Sequence, residues 1–377
     1  MKSSTLPTAS LASQSASYDG LKPNSRVVLV DSSAVLFRSF DGYKQSRMGL
    51  WDDRSVDMAP LFGYLYYLQK LYKEFEFDDL IHVQDAPGGS FYRYQLYPAY
   101  KANREERPLL ETPKAMLSHV LAAFGEKVIR KRGIEADDVI ATLAVQLAEK
   151  GHMVMVVSND KDLMQLADKE QITICRYVQD PQGQGKMHDV YGEEEVFEKL
   201  GIRPDQIADW LALMGDASDN IPGVPNVGEK KAQKLIQEFG DIPTIMTRVN
   251  DIKGALGENI KKVIDELPLY SKLTNLLKDV LLEYPQSPIM DEEKRQMIFK
   301  ALSWKPEWPT SFEVGMEGFR EDMGAFVKQP TPFTSNPNSS NFQFNTKEEK
   351  SPPSYSSTSP NSDPILPPPP LGRPKRI

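Results

Sequence analysis

The chain has little of what binds soft metals or staples a fold. Its 377 residues hold one cysteine, Cys175, and four histidines. A lone cysteine closes no internal disulfide. His82, His119, His152 and His188 are scattered without ligand spacing and read as structural. No apolar run approaches the roughly 18 residues of a membrane helix, so no membrane partner is expected. The first 25 residues lack the apolar stretch of a secretory signal and carry no arginine, so they read as a disordered leader.

Charge is uneven. The net −8 leaves about −12 on the body, because the leader carries +1 and residues 328–377 carry +3. Acidity on this scale argues, taken naively, against nucleic acid.

The order of elements predicts an α/β fold. "RVVLV", "DLIHVQ", "HMVMVVS" and "ITICRY" read as strands separated by amphipathic helices, which implies a mostly parallel sheet with helices on both faces. "TPKAMLSHVLAAFG" predicts a helix capped by Thr112, with Pro113 in its first turn and Gly125 at its end. From about residue 190 the strands are expected to stop and helices with Gly and Pro punctuation to follow. The reading is a leader over 1–25, an α/β core over 26–190 and a helical part over 191–325. A basic Pro/Ser-rich tail over 326–377, holding 12 of the 29 prolines, is expected to be disordered.

Acids fall at strand ends. "VVLVDSS" ends on Asp31, "LIHVQDA" on Asp85, and "VMVVSNDKD" on Asp160 and Asp162. In an open parallel sheet that edge is where ligands bind. Glu135, Asp137 and Asp138 open the helix of "GIEADDVIATLA", and Asp216 and Asp219 lie in "ALMGDASDN". Two like charges about 4 Å apart repel by roughly 4 kcal/mol at an effective dielectric of about 20. Nine converging carboxylates must therefore hold protons or cations. An all-oxygen set suits Mg²⁺ or Mn²⁺, and this many acids suffices for two ions and phosphodiester hydrolysis.

Two segments fit nucleic acid. "GVPNVGEKKAQKLI" places Gly223, Val224 and Gly228 in a tight turn beside Lys230, Lys231 and Lys234, like a helix–hairpin–helix that grips a phosphate backbone. It is not a P-loop, because Glu229 stands where the lysine belongs. "GGSFYRYQLYPAYKANREERP" interleaves Arg93, Lys101, Arg104 and Arg107 with Phe91, Tyr92, Tyr94, Tyr97 and Tyr100, a pattern suited to single strands. "DKDLMQLADKEQ" begins like a calcium loop but has glutamines at Gln165 and Gln171, where that loop needs Gly and Glu.

Together, "VDSSAVLFRSF", "YPAYKANR", "GIEADDVIATLA", "SNDKDLMQL" and "ALMGDASDNIPGVPNVGEKKAQKLI" resemble the 5′–3′ exonuclease domain of bacterial DNA polymerase I and the flap endonuclease family. The resemblance runs over roughly 26–285. It implies a PIN-like core, an arch over about 86–125 and a helix–hairpin–helix subdomain. It implies a first metal site of Asp31, Asp85, Glu135 and Asp137. Asp160, Asp162 and Asp216 form the second, with Asp138 and Asp219 farther out. Lys101 and Arg104 match the residues that contact the scissile phosphate, and Arg93, Tyr97 and Arg107 accompany them as DNA contacts. K⁺ at the hairpin is implied too. Ser32, Gln84 and Asn159 depart from the residues common at their positions.

The expected activity is hydrolysis at DNA 5′ ends, flaps or nicks, and of RNA primers, by a free-standing monomer. The expected compartment is the cytoplasm of a bacterium or an organelle of a eukaryote. The alternatives are a catalytically idle binder of DNA junctions, which has no need of nine crowded acids, and a PIN-type ribonuclease, which lacks the hairpin clamp.

Overall fold

A computed structural model describes residues 21–45, 59–88, 90–104, 107–177, 188–289 and 293–294. The tail over 326–377 and most of the leader lie outside the described residues. Within the span read as leader, Leu21 packs against the core and Ser25 is buried, so ordered chain begins before residue 26.

The described elements are β1 (Arg26–Asp31), α1 (Ser32–Gln45), α2 (Ala59–Glu74), β2 (Asp79–Val83), α3 (Phe91–Leu96) and α4 (Pro108–Ala123). They continue with β3 (Lys127–Ile129), α5 (Ala136–Glu149), β4 (Met153–Val157), β5 (Ile172–Tyr177) and β6 (His188–Tyr191). The helices α6 (Glu193–Leu200), α7 (Ile207–Met214), α8 (Glu229–Phe239), α9 (Ile242–Thr247), α10 (Gly254–Lys262) and α11 (Leu267–Thr274) follow.

The sheet has the order β3-β2-β1-β4-β5-β6. The first five strands are parallel, and β6 runs antiparallel to β5. Helices cover both faces, so the central strands are apolar throughout rather than alternating. Val27 and Leu29 join one core cluster with Val139, Ile140 and Leu143 of α5. Val28 and Val30 point the other way, into a cluster with Leu36, Leu65, Leu68 and Leu117 of α1, α2 and α4.

Three sequence expectations need correction. The strand β3 was not anticipated, because "KVI" is only three residues long and half-buried. The edge strand β6 was not expected either, and it ends at Tyr191, where the helices take over as read. Helix α4 starts at Pro108, not at Thr112, and Pro113 lies inside it. Pro108 takes the first helical position, where its missing N–H costs nothing.

The helical part shares the α5-side core. Trp210, Leu211, Val227, Ala232 and Ile236 belong to the same cluster as Val27 and Leu29. Extended chain after α11 then runs back over the core. Leu277 N donates to Asp138 Oδ1 at 2.9 Å, and Tyr284 Oη donates to Asp79 Oδ2 at 2.7 Å.

The turn after α7 depends on two glycines in the left-handed region. Gly215 has φ +79° and Gly223 has φ +66°, and a Cβ on Gly223 would lie 2.4 Å from Gly215 N. Here backbone passes backbone with no room for a side chain. Gly223→Ala is therefore expected to lower unfolding free energy by at least about 2 kcal/mol, measured by chemical denaturation.

Candidate active site

The sheet topology places the site. From β1 the chain moves outward through β2 to β3, and α5 then carries it back across to β4. Order reverses between β1 and β4, and the crevice outside the carboxyl ends of such strands is the natural ligand site. Asp31 ends β1, and Asp160 lies three residues beyond the end of β4.

Asp31 and Asp85 are held from below. Asp31 Oδ1 accepts from Ala34 N at 3.0 Å, and its Oδ2 accepts from Ser158 Oγ at 2.7 Å. Asp85 Oδ2 accepts from Ser33 Oγ at 2.8 Å, and its Oδ1 accepts from Ala136 N at 3.0 Å. This last bond caps the first turn of α5 with a carboxylate that lies two residues beyond the end of β2. Burial, with Asp85 and Asp160 adding to it, raises the Asp31 pKa to about 6 against the opposing hydrogen bonds from Ala34 and Ser158.

Glu135 and Asp138 behave differently. Glu135 Oε2 accepts from Arg93 at 3.0 Å and from Tyr100 Oη at 3.1 Å, and its Oε1 meets Lys101 Nζ. Asp138 is fully buried. Arg93 donates to both its oxygens, at 2.5 and 2.9 Å, and Leu277 N also donates to Oδ1. Asp138 is thus the partner of a core arginine and has no oxygen facing the crevice, contrary to its expected place among the ligands. Arg93 is likewise no DNA contact. It is 2 % exposed, and its remaining donors go to the Leu273 and Asn275 carbonyls. Tyr100, expected as a stacking face, is buried, and its hydroxyl bridges Glu135 and Asp219.

Above these residues opens a cleft of about 400 Å³. It is lined by five of the expected acids, Asp137, Asp160, Asp162, Asp216 and Asp219, and by Lys101 and Arg104. Burial and then the charges of Asp31 and Asp160 hold the Asp137 pKa well above the usual carboxylate range. Asp162 is raised by burial and then Asp160, and its Oδ1 is buried without a hydrogen-bond partner. Asp216 is also partly buried, but hydrogen bonds from Ser218 and the charge of Lys161 lower its pKa below the usual value.

Among the described residues, no three acids or histidines form a ready-made cage. Cations already bridge several of them: Lys101 pairs with Glu135, Arg104 with Asp219 at 2.8 Å, and Lys161 with Asp216 at 3.1 Å. The donor set still fits hard cations. It is all carboxylate, crowded, and keeps an unsatisfied buried oxygen on Asp162.

The segment bearing Lys101 and Arg104 is docked by backbone. Lys101 N donates to the Asp219 carbonyl at 3.0 Å, and Asn220 Nδ2 donates to the Ala99 carbonyl at 2.7 Å. Lys101 itself has φ +56°. Arg107 is exposed, with its guanidinium 5.1 Å from the Phe37 ring. Tyr97 is half-buried and packs against the core, whereas Phe91 and Tyr94 are exposed.

In the hairpin, Lys230 and Lys231 are exposed on α8, which Gly228 caps. Val224 does not offer its amide to a ligand: it is buried, and its N–H donates to the Leu213 carbonyl at 2.8 Å. Sequence reasoning missed Ser33, Ser158, Lys161 and Arg176. Ser158 and Lys161 flank Asp160 in "VVSNDKD", so only Arg176, 16 positions beyond Asp160, carried no local signal.

Comparison with known proteins speaks to the family and the fold. Residues 26–201 match the family model of the 5′-3′ exonuclease N-terminal resolvase-like domain, and residues 202–296 match its C-terminal SAM fold. DNA polymerase I of Bacillus caldotenax is 33% identical over 301 residues, covering 76% of this chain and 33% of that protein. The thermostable DNA polymerase I of Thermus thermophilus is 35% identical over 264 residues, covering 70% of this chain and 30% of that protein. The chain thus spans about a third of the length of these curated relatives. A solved structure of T5 5′-exonuclease with zinc ions bound aligns at 19% identity with a TM-score of 0.52, over 80% of this chain and 100% of that one. A T5 flap endonuclease complexed with DNA and metal ions aligns at 18% identity with a TM-score of 0.51, over 81% and 100%. At these identities the two structures speak for the fold. With a six-stranded, mostly parallel sheet, a helical C-terminal part and both family models matched in succession, the chain belongs to the 5′–3′ exonuclease family.

Proposed function

We propose that this chain is a divalent-metal-dependent 5′ nuclease that hydrolyses phosphodiester bonds at DNA 5′ ends and flaps, and in RNA primers. The observation that carries this reading is the carboxylate cleft at the β1/β4 switch point, with Lys101 and Arg104 on its rim. Asp31, Asp85, Glu135 and Asp137 would hold one Mg²⁺ or Mn²⁺, and Asp160, Asp162 and Asp216 a second, with Asp219 beside it. When bound, such ions act as Lewis acids and lower the pKa of water.

The chain's own residues do the rest. Ser33 and Ser158 fix the Asp85 and Asp31 carboxylates, so donors do not swing away as charge changes. Burial lowers the Lys101 ammonium pKa, but Glu135 and Asp219 outweigh it and hold the side chain protonated. Lys101 and Arg104 are thus poised to stabilise negative charge growing on the phosphate. Lys230 and Lys231, with the N-terminal end of α8, would hold the duplex backbone without reading sequence. K⁺ at the hairpin fits the same role. An idle junction binder would have no use for the unsatisfied Asp162 oxygen.

Cleavage of a labelled 5′-flap DNA tests the reading directly. Wild type is expected to cut only with Mg²⁺ or Mn²⁺, while Asp160→Asn loses at least about 10³-fold in kcat and still binds the flap. Wild type that binds but never cuts with either ion would refute the proposal.

Metal removal should expose the repulsion. Asp31 has a folded pKa of about 6 against an ordinary 3.8, so the folded state holds its proton more tightly. Its contribution favours folding below pH 4 and is lost as pH rises through 6, by at most about 3 kcal/mol. In chelator, Tm is expected to fall between pH 5 and 7.5, and Mg²⁺ should restore it at pH 7.5 far more than at pH 5. Equal Mg²⁺ effects at both values would contradict the assignment.

The hairpin lysines make a separate prediction. Lys230→Ala with Lys231→Ala is expected to weaken duplex binding. The slope of log K against log salt should become shallower by about 0.9 for each phosphate that is no longer neutralised.

A further inference from the structure

Four cationic side chains line the cleft: Lys101, Arg104, Lys161 and Arg176. The first three are each committed to a carboxylate. Arg176 differs. One guanidinium N–H donates to the Asn159 carbonyl at 2.7 Å, and although Asp189 of β6 stands opposite it in the register, the side chain forms no ion pair with an acid among the described residues. A guanidinium presents five donors in a planar fork, so most of its capacity remains for an oxyanion in the cleft it lines.

The position of Arg176 is built rather than incidental. It is the penultimate residue of β5, one step beyond the Val157↔Cys175 pairing with β4. There the turn carrying Asp160 is clamped to β5. Tyr177 N donates to Asn159 Oδ1 at 2.9 Å, Asn159 Nδ2 donates to the Tyr177 carbonyl at 3.4 Å, and Ser158 N donates to the Cys175 carbonyl at 3.1 Å. Asn159 therefore joins the two strand ends and holds Arg176 in the same stroke. The sheet order sets Asp85, Asp31, Asp160 and Arg176 in succession along one edge. Lys101, on Glu135 beside Asp85, stands at the other end of that row.

We propose that Arg176, oriented by Asn159, binds the strand phosphate adjoining the one that is cut, at the β5 end of the acid row. The proposal rests on the nuclease reading above. A strand lying across the cut brings a second phosphate to its flank, where the cleft carboxylates would repel it. A cation with no carboxylate of its own offsets that repulsion. Lys101 and Arg104 remain with the phosphate that reacts.

The test uses the full chain and 5′-flap DNAs, each carrying one uncharged methylphosphonate at a single phosphate near the cut. Binding is measured without divalent ions by fluorescence anisotropy, and kcat and KM are measured with Mg²⁺. Arg176→Gln is expected to raise Kd and KM about tenfold with kcat within about twofold, and Arg176→Lys to fall between. The salt slope of binding should drop by roughly 0.7–0.9. One methylphosphonate beside the scissile phosphate should cost wild type a similar factor and cost Arg176→Gln nothing more. Unchanged Kd and KM in a folded Arg176→Gln, or a methylphosphonate penalty that is the same in variant and wild type at every position, would overturn the proposal. Should Arg176→Gln not fold, Arg176→Lys with the same scan decides by the same criterion. Failure of the nuclease reading would look different, as wild type that binds the flap but never cuts it with Mg²⁺ or Mn²⁺.

Discussion

Repulsion among carboxylates gathered at one sheet edge is the constraint around which this molecule is arranged. Each acid meets it with a different answer. Asp31 and Asp85 are steadied by hydroxyls and backbone amides from Ser158, Ala34, Ser33 and Ala136. Glu135 and Asp138 share the buried guanidinium of Arg93. Asp216 and Asp219 face Lys161 and Arg104. What remains unbalanced is concentrated on Asp31, Asp137 and Asp162, whose pKa values are raised chiefly by burial and then by neighbouring carboxylates. That is the charge a pair of hard cations would neutralise.

Arg93 shows how this balance also joins the parts of the fold. It stands on α3, grips the first turn of α5, and donates to carbonyls just at and beyond the end of α11. The segment leading to Lys101, the helix presenting Asp137 and the end of α11 thus meet on one planar cation. Removing a single partner would leave a charge buried without compensation, which costs several kcal/mol. The loop over 216–221 completes the frame, since its carbonyls and side chains hold Ala99, Lys101 and Asn103.

Much of the site was legible in the chain. Asp31, Asp85 and Asp160 each follow an apolar β-branched run, and strand ends in a parallel sheet face one edge. The opening of α5 was legible too, because acids crowded before an apolar helical face have a local signature. Arg93 and Tyr100 were misjudged because a basic residue among aromatics looks the same whether it faces a nucleic acid or a carboxylate 45 residues away. Val224 failed for a similar reason: its amide bonds back to Leu213 across the turn. The start of α4 was misplaced because Pro108 and Pro113 both suit a first turn, and only the structure shows which one occupies it.

The sequence by itself determined the parallel sheet, the helical part that follows, and the all-oxygen character of the site, since residue type and periodicity carry all three. Tertiary structure alone decided which carboxylates remain free for cations and which are consumed by the core. That choice depends on Arg93, Lys101, Arg104 and Lys161 meeting acids that lie far from them along the chain, and Coulomb energy responds to distance in space, not to sequence separation.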